Sequence, residues 1–518
     1  MVTNKVGRSV PSFIENLGEL KPYAGVFATP PTGAHYAPPI RRHLGIGMGA
    51  GKKFLASLRE AILASGLKSG MTISFHHHFR NGDMLVNMVV DEIAALGIKD
   101  LTLAPSSLQN IHQALIPHIR SGVITAITTS GLRGELAEVL TRESLLKSPV
   151  VIRSHGGRAR AIEAGELKID VAFLGASSAD VYGNMNGIHG PAACGSLGYA
   201  MVDAQYADFV VGITDNIVPY PALPISIPQT QVDLVVKVDK VGDPKGIMTG
   251  ATRITRDPLE LHIAAQAMRV IEASGYFREG FSFQAGTGGA SLAVAKLLKE
   301  SMAETGLRGG FCTGGSTGYI CEMLQEGYFS AILDTQCFDL AAVESLRTNP
   351  RHVEMSASYY ANIHAKACTA HITDIMMLAA TEIDTAFNVN VLTGSDGIMM
   401  GASGGHSDTA AGTKLRLVTA PLIRGRFPIV VDSVHTVITP GECIDVLVTE
   451  RGIAVNPAQK TLKEQLNDFG IETVSIEELQ WRAEKLTGKP EPLAQSEELV
   501  ALVEYRDGTL IDVVRRIL

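Results

Sequence analysis

Residues 170–186, DVAFLGASSADVYGNMN, recur at 374–390 as DIMMLAATEIDTAFNVN, and this repeat decides the fold of the chain. Identical Asp, Leu and Asn residues stand in register in the two copies. Two more pairs of segments repeat at a similar spacing: 122–139 with 327–343, and 232–238 with 444–450. Solenoid repeats recur every ~20–50 residues, so a spacing of roughly two hundred residues indicates that a whole domain is duplicated.

Short apolar segments alternate with helical segments in both copies. The first copy predicts the strand MTISF, a helix over 84–97 and the strand DLTLAP. The second copy predicts a helix over 259–275, the strand FSFQ, a helix from Ala290 and the strand GGFCT. This alternation indicates βαβ units with largely parallel sheets. We therefore predict an α/β fold made of two tandem, related, open α/β domains.

Composition along the chain suggests where these domains begin and end. Residues 1–45 are rich in Pro and Gly and are predicted to form an N-terminal arm, with an amphipathic helix following over 52–66. We predict the first domain over 46–245 and the second over 246–518, joined by a linker near 242–258. The more charged tail, roughly 457–518, is predicted to be a C-terminal extension that packs on the second domain.

Bulk composition excludes several classes of protein. A net charge of −8 argues against a nucleic-acid binder, which would present a basic face. The six cysteines are scattered without metal-ligand spacing, which predicts reduced thiols and no structural zinc. No apolar run is long enough to span a membrane, and the N-terminus lacks a secretion signal. We predict a cytoplasmic protein.

Gly286, Gly288 and Gly289 follow a predicted strand and open a predicted helix. Backbone amides at such a turn can approach an anion, and the helix N-terminus adds positive potential. The pattern also resembles a weak dinucleotide fingerprint, and a tight structural turn explains it equally well. The stretch GIGMGAGKK at 45–53 lacks both the first glycine and the final Ser or Thr of a phosphate loop, which argues against nucleotide hydrolysis.

His76, His77, His78 and Arg80 end the first strand of the first copy. Successive strand residues face opposite sides, so the three histidines cannot all bind one metal ion from a regular strand. In a loop at the carboxyl end of the strand, however, imidazoles and a guanidinium could bind a ligand rich in carboxylates. The alternative is that they are ordinary structural or solvated residues.

The stretch GASGGHSD at 401–408 is the most distinctive part of the second copy. The adjacent Gly404 and Gly405 allow the backbone to present its amides at a strand end, as an oxyanion hole requires. His406 follows them directly and is a candidate proton donor. A glycine-rich bend without catalytic function is the alternative.

The βα repeats, the Gly404 to Asp408 loop and VTERGIA at 448–454 together resemble the coenzyme A transferase superfamily, of NagB/RpiA-like fold. Within it, FHHHFRNGD and GASGGHSD resemble the citrate lyase alpha subunit family, over nearly the whole chain beyond residue 45. The resemblance implies two related α/β domains with the active site at their junction. It also implies that an acetyl thioester and citrate exchange to give a citryl thioester and acetate.

One departure from the superfamily concerns the nucleophile. Glutamate-dependent relatives have a Ser-Glu-Asn-Gly motif whose glutamate carries the acyl group and then the thioester. The matching strand end here is FCTGGSTG at 311–318, with Gly314 in place of a carboxylate. The resemblance therefore implies direct exchange through a mixed anhydride, without a covalent enzyme intermediate.

The resemblance also suggests roles for the candidate residues. The backbone amides of Gly314, Gly315, Gly404 and Gly405 would stabilise the tetrahedral oxyanion. Citrate would be held by His76, His77, His78 and Arg80. His406 would protonate or orient a leaving group. Glu450 could orient partners, although a strand-end ion pair is the more favoured explanation.

The family implies a carrier subunit (gamma) that bears a dephospho-coenzyme A arm, and a lyase subunit (beta). Coenzyme A or this arm would contact Gly286, Gly288, Gly289, Arg153 and Arg158, although a basic run such as RSHGGRAR at 153–160 is more often a solvated face. No metal is implied, and we predict a homo-oligomer.

Three other functions remain open from the sequence. One is a coenzyme A transferase or acyl-coenzyme A hydrolase of the same fold that acts on another acid. A second is a nicotinamide-dependent dehydrogenase that uses GTGGAS, although Glu304, the acidic residue at about the spacing required to hold the ribose, ends a predicted helix and not a second strand. The third is a non-catalytic assembly scaffold.

Overall fold

Residues 1–26, 28, 38, 53–248, 254–286 and 288–518 are described by the computed structural model. The predicted domain boundary at 45/46 and nearly all of the GIGMGAGKK stretch lie outside the described residues, as does part of the predicted linker, 249–253.

The first large sheet has ten strands, and all adjacent pairs are parallel except β28 with β29. In spatial order the strands are β29 (Leu510–Ile517), β28 (Gln495–Glu504), β9 (Val150–Ile152), β8 (Ile124–Thr129), β7 (Leu101–Leu103), β6 (Thr72–Ser74), β10 (Val171–Ala176), β13 (Phe209–Thr214), β14 (Leu234–Lys237) and β5 (Phe54–Leu55).

The second large sheet has eight strands, and only the last pair, β26 with β27, is antiparallel. In spatial order they are β18 (His352–Glu354), β17 (Phe329–Cys337), β16 (Gly309–Ser316), β15 (Phe283–Gln284), β19 (Ile375–Ala379), β22 (Leu415–Thr419), β26 (Val446–Thr449) and β27 (Gly452–Val455).

The two sheets share the connectivity of seven strands. In the first sheet β6 to β9 lie side by side in reverse order, with β10, β13 and β14 on the other side of β6, and in the second sheet β15 to β18 and then β19, β22 and β26 are arranged in the same way. The first sheet adds β5 at one edge and β28 and β29 at the other, and the second adds β27. The duplicated segments supply β10 and β19, which occupy the same place in their sheets. The prediction of two related α/β domains with mostly parallel sheets is therefore confirmed.

The identical polar residues of the repeat build the same turn twice. In the first copy the Asp180 carboxylate accepts hydrogen bonds from the Asn184 backbone amide and side chain (3.3 and 2.8 Å). Asp384 accepts the corresponding pair from Asn388 (2.9 and 3.1 Å). These turns join short strands: β11 (Ser178–Ala179) to β12 (Met185–Asn186), and β20 (Glu382–Asp384) to β21 (Val389–Asn390), with β25 (Val430–Val431) beside β20. Because both copies keep these residues for the same turn, their similarity reflects folding and not catalysis.

Helices connect the parallel strands, as crossovers require. They are α1 (Leu58–Ser65), α2 (Leu85–Ala95), α3 (Ile116–Arg120), α4 (Gly134–Glu143), α5 (His155–Glu163), α6 (Ala200–Tyr206), α7 (Pro258–Ala273), α8 (Gly289–Thr305), α9 (Gly318–Gln325), α10 (Leu340–Thr348), α11 (Ala357–Ala361), α12 (Thr369–Ile372), α13 (His406–Gly412), α14 (Lys460–Asp468) and α15 (Ile476–Thr487).

The helix predicted over 52–66 is shorter than expected. The Ser57 hydroxyl accepts a hydrogen bond from the Glu60 amide (3.2 Å) and so begins α1 at Leu58. The residues before this cap instead form β5, which pairs with β14 at the sheet edge. Gly66 ends the helix as expected, with a φ of +72°.

The C-terminal tail corrects another prediction. Helix α14 contacts α7, and α15 contacts β27, so this part packs on the second domain as expected. The last two strands, however, extend the first sheet, with β28 parallel to β9. The reason is that β9 would otherwise be an edge strand with unpaired backbone groups, which β28 satisfies.

The N-terminal residues lie on this added hairpin. They form β1 (Val2–Thr3) with β2 (Ser9–Val10), and β3 (Phe13–Ile14) with β4 (Gly18–Glu19). The Asn4 side-chain amide donates to the carbonyls of Leu510 and Ile511 (3.1 and 2.7 Å). A last small hairpin in the second domain pairs β23 (Ile423–Arg424) with β24 (Phe427–Pro428).

All six cysteines are buried and none forms a disulfide, as predicted. In the part of the chain that the structure describes, no helix has the length and apolar character needed to cross a membrane.

Candidate active site

The carboxyl ends of the two sheets meet along a seam between the domains. Residues 130–132, which follow β8, run antiparallel to residues 401–403 of the GASGGHSD stretch. The Leu132 amide donates to the Gly401 carbonyl (3.1 Å), and the Ser403 amide donates to the Ser130 carbonyl (2.8 Å). Gly131 allows this approach, because a Cβ atom there would lie only 2.2 Å from the Ala402 Cβ atom.

Asp408 fastens the same stretch to the first domain. Its buried carboxylate accepts hydrogen bonds from the Ser154 hydroxyl and the Gly156 amide, both at 2.8 Å, at the N-terminus of α5. The buried guanidinium of Arg506, from the C-terminal hairpin, lies 3.6 Å away. One carboxylate from the second domain therefore caps a helix of the first and pairs with the tail.

Three rings from the first domain line the seam. The His77 ring stacks on Tyr199 and on His155, with centroids 4.7 and 5.4 Å apart, and His155 lies 4.4 Å from Tyr199. His77 Nδ1 is 2.6 Å from the Ser106 hydroxyl, and the His77 carbonyl accepts from the Gln336 amide of the second domain (2.9 Å). Burial, with smaller contributions from the neighbouring His155 and Arg80, lowers the pKa of His77 well below its usual value. Burial also lowers the pKa of His155 to about 3.

The other two adjacent histidines are anchored elsewhere. His76 lies against the buried carboxylate of Asp203 at 3.5 Å, and burial lowers its pKa to about 3. His78 Nε2 donates to the Gly175 carbonyl at 3.0 Å, and burial lowers its pKa to about 4. The three residues lie beyond the end of β6, and their separate partners hold the three rings apart. Only His77 of the predicted citrate-binding histidines is therefore placed in the seam.

Arg80 also reaches the seam. Its guanidinium carbon lies 5.0 Å from the centroid of the Phe338 ring of the second domain. Its φ of +53° is uncommon for a residue with a side chain, and such strained backbone concentrates at functional sites. Burial and then the charge of Arg133 lower the pKa of Arg80 to about 10, so the group stays charged at neutral pH.

Gly314 and Gly315 end β16 at a bulge opposite β17. Gly314 has a φ of +95°, and a Cβ atom there would lie 2.4 Å from the Gln284 side-chain nitrogen. That nitrogen donates to the Tyr360 hydroxyl at 2.7 Å. The side-chain amide of Gln284, held by the Tyr360 hydroxyl, therefore fills the space beside Gly314.

Gly404 and Gly405 lie opposite the ring cluster. The Gly404 carbonyl accepts from the His155 amide (2.8 Å), and a Cβ atom on Gly405 would lie 2.6 Å from the Tyr360 hydroxyl. Within the described ranges, the amides of Gly404 and Gly405 donate to no other group. They are therefore available to an oxyanion in the seam.

His406 and Glu450 are occupied by structural contacts. His406 Nε2 donates to the Ala379 carbonyl (2.9 Å), so Nδ1 accepts from the Thr439 hydroxyl (2.6 Å). Burial lowers the pKa of His406 to about 4, and both ring nitrogens are engaged, which argues against the predicted proton donor. Glu450 accepts from the Leu422 amide (2.9 Å) and lies 3.9 Å from Arg451, in agreement with the structural explanation.

The predicted cofactor residues fall into two groups. Gly286, Gly288 and Gly289 join β15 to α8 as expected, and Gly286 lines a small cavity together with Thr313, Gly315 and Phe338. Arg153 and Arg158 are instead paired inside the fold, as bidentate partners of Glu504 (2.7 and 2.8 Å) and Asp203 (both 2.7 Å). Neither arginine is free to bind a phosphate, which corrects that prediction. Arg160 is likewise paired, with Glu166.

Comparison with known proteins identifies the family. The family model described as citrate lyase, alpha subunit (CitF), matches residues 51–517. This chain belongs to the citrate lyase alpha subunit family. It is 53% identical to the citrate lyase alpha chain of Klebsiella pneumoniae, over 96% of both chains. It is 55% identical to that of Escherichia coli K12, over 90% of this chain and 91% of the other. The predicted resemblance to this enzyme family is confirmed.

Solved structures agree with the citrate lyase assignment. The chain is similar to the alpha subunit of citrate lyase from Streptococcus mutans, solved in complex with citrate, with 50% identity, a TM-score of 0.95 and coverage of 99% and 100%. A malonate decarboxylase alpha subunit from Acinetobacter baumannii shares the fold at 14% identity, with a TM-score of 0.61 over 85% of this chain and 93% of the other. The predicted fold class is confirmed.

Several residues of the seam escaped prediction from the sequence. They include Tyr199, Gln284, Tyr360 and Arg133, which stand in segments without a distinctive local pattern. Arg506 was missed because it lies in the tail, about a hundred residues beyond its partner Asp408.

A buried cluster of polar side chains lies on the neighbouring strands β16, β17 and β18. Asp334, Cys337 and His352 offer atoms within 4.8 Å of one another, as a metal site would. The Asp334 carboxylate already accepts from the Ser316 hydroxyl (2.6 Å), the Cys337 thiol (3.1 Å) and His352 Nε2 (3.1 Å). These hydrogen bonds explain the cluster without an ion.

The neutral histidines predict how stability depends on pH. His78 has a folded pKa of about 4 against about 6.5 in an unfolded chain, so between these values the unfolded state binds more protons. Its contribution is fully present above about pH 6.5 and is lost as the pH falls towards 4. We expect His78→Gln, which keeps a donor to Gly175, to reduce this loss by up to about 1.4 kcal/mol per pH unit. Urea unfolding at several pH values between 7 and 5 measures the slope of the free energy of unfolding against pH.

The matched control is His262→Gln, because His262 is exposed on α7. The control should leave the slope of the wild-type chain unchanged. An equal slope in His78→Gln and the wild type would contradict the prediction.

Proposed function

We propose that this chain is the citrate transferase of a citrate lyase. It exchanges acetyl for citryl on the thiol of a prosthetic group carried by a partner acyl carrier subunit, and releases acetate. The observation that carries the proposal is the seam itself. It combines free backbone amides at Gly404 and Gly405, neutral imidazoles and a charged guanidinium, without a carboxylate at Gly314.

The reaction balances in two steps. A citrate carboxylate attacks the acetyl thioester carbonyl and expels the thiolate, which leaves a mixed citryl–acetyl anhydride. The thiolate then attacks the citryl carbonyl and expels acetate. Each step passes through a tetrahedral oxyanion, and amides 2.7–3.1 Å or so from that oxygen would stabilise it. Gly404 and Gly405 are the better candidates, since Gly314 is packed against Gln284.

The side chains have separate tasks in this scheme. Arg80 supplies positive charge for the citrate carboxylates, whereas His77 and His155 are uncharged at neutral pH and act through hydrogen bonds. Ser106 and Gln336 hold His77 in place from both domains. Holding one carboxylate near the thioester raises its effective concentration, which supplies much of the acceleration.

The carrier arm would be held by amides rather than by the arginines first predicted. Gly286, Gly288 and Gly289 open the 17-residue helix α8, and a Cβ atom on Gly288 would meet no neighbour, so the turn can accommodate a phosphate or pantetheine group. We propose that beta and gamma subunits of citrate lyase are the partners, and that the chain forms a homo-oligomer. No residue of the proposed mechanism requires a metal.

Mixing the purified chain with acetyl-coenzyme A and citrate tests the proposal. Mass spectrometry should detect citryl-coenzyme A and acetate in equal amounts. Acetate without citryl thioester would indicate a hydrolase, and transfer only to other acids would indicate another transferase. Reduction of NAD without acyl transfer would indicate a dehydrogenase. Any of these three outcomes would overturn the proposal.

Restoring the glutamate of the superfamily should not restore its mechanism. We expect Gly314→Glu to lower exchange at least tenfold and to form no covalent acyl-enzyme, because its Cβ atom would collide with Gln284 at a φ of +95°. Strained backbone of this kind costs about 1–3 kcal/mol. Exchange rates and the intact mass after incubation with acetyl-coenzyme A provide the measurements.

Gly327→Glu is the matched control, because Gly327 has a φ of +81° and open space beside it. It should retain exchange activity. A mass increase on Glu at position 314, with activity retained, would show that the seam accommodates a nucleophile after all.

A further inference from the structure

Arg80 and Arg133 share a property that distinguishes them from other arginines of this chain. Both are partly buried, and neither forms a hydrogen bond or ion pair with a side chain among the residues that the structure describes. The Arg80 Nη1 atom is buried without a partner. By contrast, the buried side chains of Arg153, Arg158, Arg160 and Arg416 each pair with a carboxylate.

An unpaired buried guanidinium is costly, because the protein must remove water from the charge without replacing its hydrogen bonds. Two such groups close together cost more, since their charges repel. Burial lowers the pKa of Arg133, and the charge of Arg133 in turn lowers the pKa of Arg80. An anion bound between them would relieve both penalties.

The two arginines follow β6 and β8, the two strands that flank β7 in the first sheet, and both lie at the seam. Arg80 lies over Phe338, whose ring fills the space beside Gly315. Arg133 is the residue before α4, directly after the Gly131–Ala402 contact between the domains. Ser106 connects the two ends: its hydroxyl lies 2.6 Å from His77 Nδ1, and its carbonyl accepts from the Ser130 hydroxyl at 2.6 Å.

We infer that Arg133 joins Arg80 in a two-armed clamp that binds the carboxylates of the acceptor acid that do not react. The inference rests on the proposed function and makes it more specific. Citrate has three carboxylates, and one must remain free to attack the thioester. The remaining two match two guanidinium groups in number and charge, and each can form a bidentate pair.

The test compares acceptors of different charge in Arg133→Gln. With acetyl-coenzyme A as donor, we expect the KM for citrate to rise 10–100-fold. Exchange of labelled acetate into acetyl-coenzyme A, which needs no clamp, should keep its rate within about twofold. The effect of the substitution on succinate as acceptor should lie between its effects on citrate and on acetate, because succinate has one carboxylate beyond the reacting one. A merely structural role would affect all three acceptors alike.

Two further variants complete the design. Arg142→Gln on α4, the helix that follows Arg133, is the matched control, because Arg142 is exposed and pairs with Glu138 on the surface. Arg133→Lys restores the charge but not the bidentate geometry, and should recover part of the citrate affinity. Calorimetric titration of citrate alone provides a binding measurement that is independent of turnover, and it should show the same loss.

The possible outcomes distinguish a failure of the clamp from a failure of the proposed transferase function on which it rests. An unchanged KM and affinity for citrate in Arg133→Gln, with acetate exchange intact, would overturn the clamp and leave the transferase proposal standing. Absence of all exchange in the wild type would overturn the function. A rise in the KM for acetyl-coenzyme A but not for acetyl-dephospho-coenzyme A would show that Arg133 binds the 3′-phosphate of the donor, which also overturns the clamp.

Discussion

Gly404→Val should lower acyl exchange by a factor of about 100–1000 while the chain still folds, as loss of an oxyanion donor does in other acyl-transfer enzymes. Gly404 has a φ of +53°, where a β-branched residue is strongly disfavoured. Valine would rotate the peptide and withdraw the amides of residues 404 and 405 from the seam. It would also direct a branched side chain towards His155, whose Nε2 lies 3.8 Å from the position of the new Cβ atom.

The control for strain is Gly425→Val. Gly425 has a φ of +62° in the exposed β23–β24 hairpin, and a Cβ atom there would meet no neighbour. This variant carries the same backbone cost without reaching the seam, so its exchange rate should match the wild type. Citryl thioester formation by mass spectrometry gives the rates, and thermal unfolding gives the stabilities. Equal rates for Gly404→Val and Gly425→Val would remove Gly404 from the site.

Asp408→Ala should be the most destabilising of these substitutions, by about 3–5 kcal/mol, as expected when one partner of a buried ion pair is removed. The change leaves the Arg506 guanidinium, which is 3% exposed, without its carboxylate. It also removes the acceptor of the Ser154 hydroxyl and the Gly156 amide. Because these groups join the two domains, exchange activity should fall with stability.

Urea unfolding, followed by tryptophan fluorescence and circular dichroism, measures the loss. The matched control is Asp432→Ala, because Asp432 is exposed and its ion pair with Lys489 lies on the surface, where such pairs contribute about 0–1 kcal/mol. The free energy of unfolding of Asp408→Asn should lie between those of the wild type and of Asp408→Ala, since an amide oxygen can still accept one hydrogen bond. An unfolding midpoint for Asp408→Ala equal to that of Asp432→Ala would refute the anchoring role.

The absence of a nucleophile at Gly314 was predictable, but its structural reason was not. A glycine has no side chain to react, and the sequence shows this directly. That Gln284 fills the vacated space, and is held there by Tyr360, depends on strands β15 and β16 and on helix α11 coming together. Residues from three separate segments cannot be matched by local pattern.

The histidine-rich strand end shows the same limit. Alternation along a strand predicted that His76, His77 and His78 could not all bind one metal ion, and the resemblance implied that all three hold citrate. In the structure they lie beyond the end of β6, and each contacts a different residue. Which of the three rings reaches the seam was decided by the positions of Asp203, which contacts His76, and of Gly175, which contacts His78. The tail shows the limit more strongly: its composition matched a surface extension, yet its last strands complete the first sheet and supply Arg506 to the seam.

The duplication, the parallel α/β sheets and the two distinctive stretches that contribute to the seam were predictable from the sequence alone, because periodicity and repeated motifs are local properties. The tertiary structure alone decided which side chains face the seam, which arginines are already paired and what joins the domains. Those properties depend on distances between residues far apart in the chain. Ion pairing is the clearest case. In the sequence, Arg153 and Arg133 look equally available to bind an anion. Only the structure shows that Arg153 is already paired with the carboxylate of Glu504.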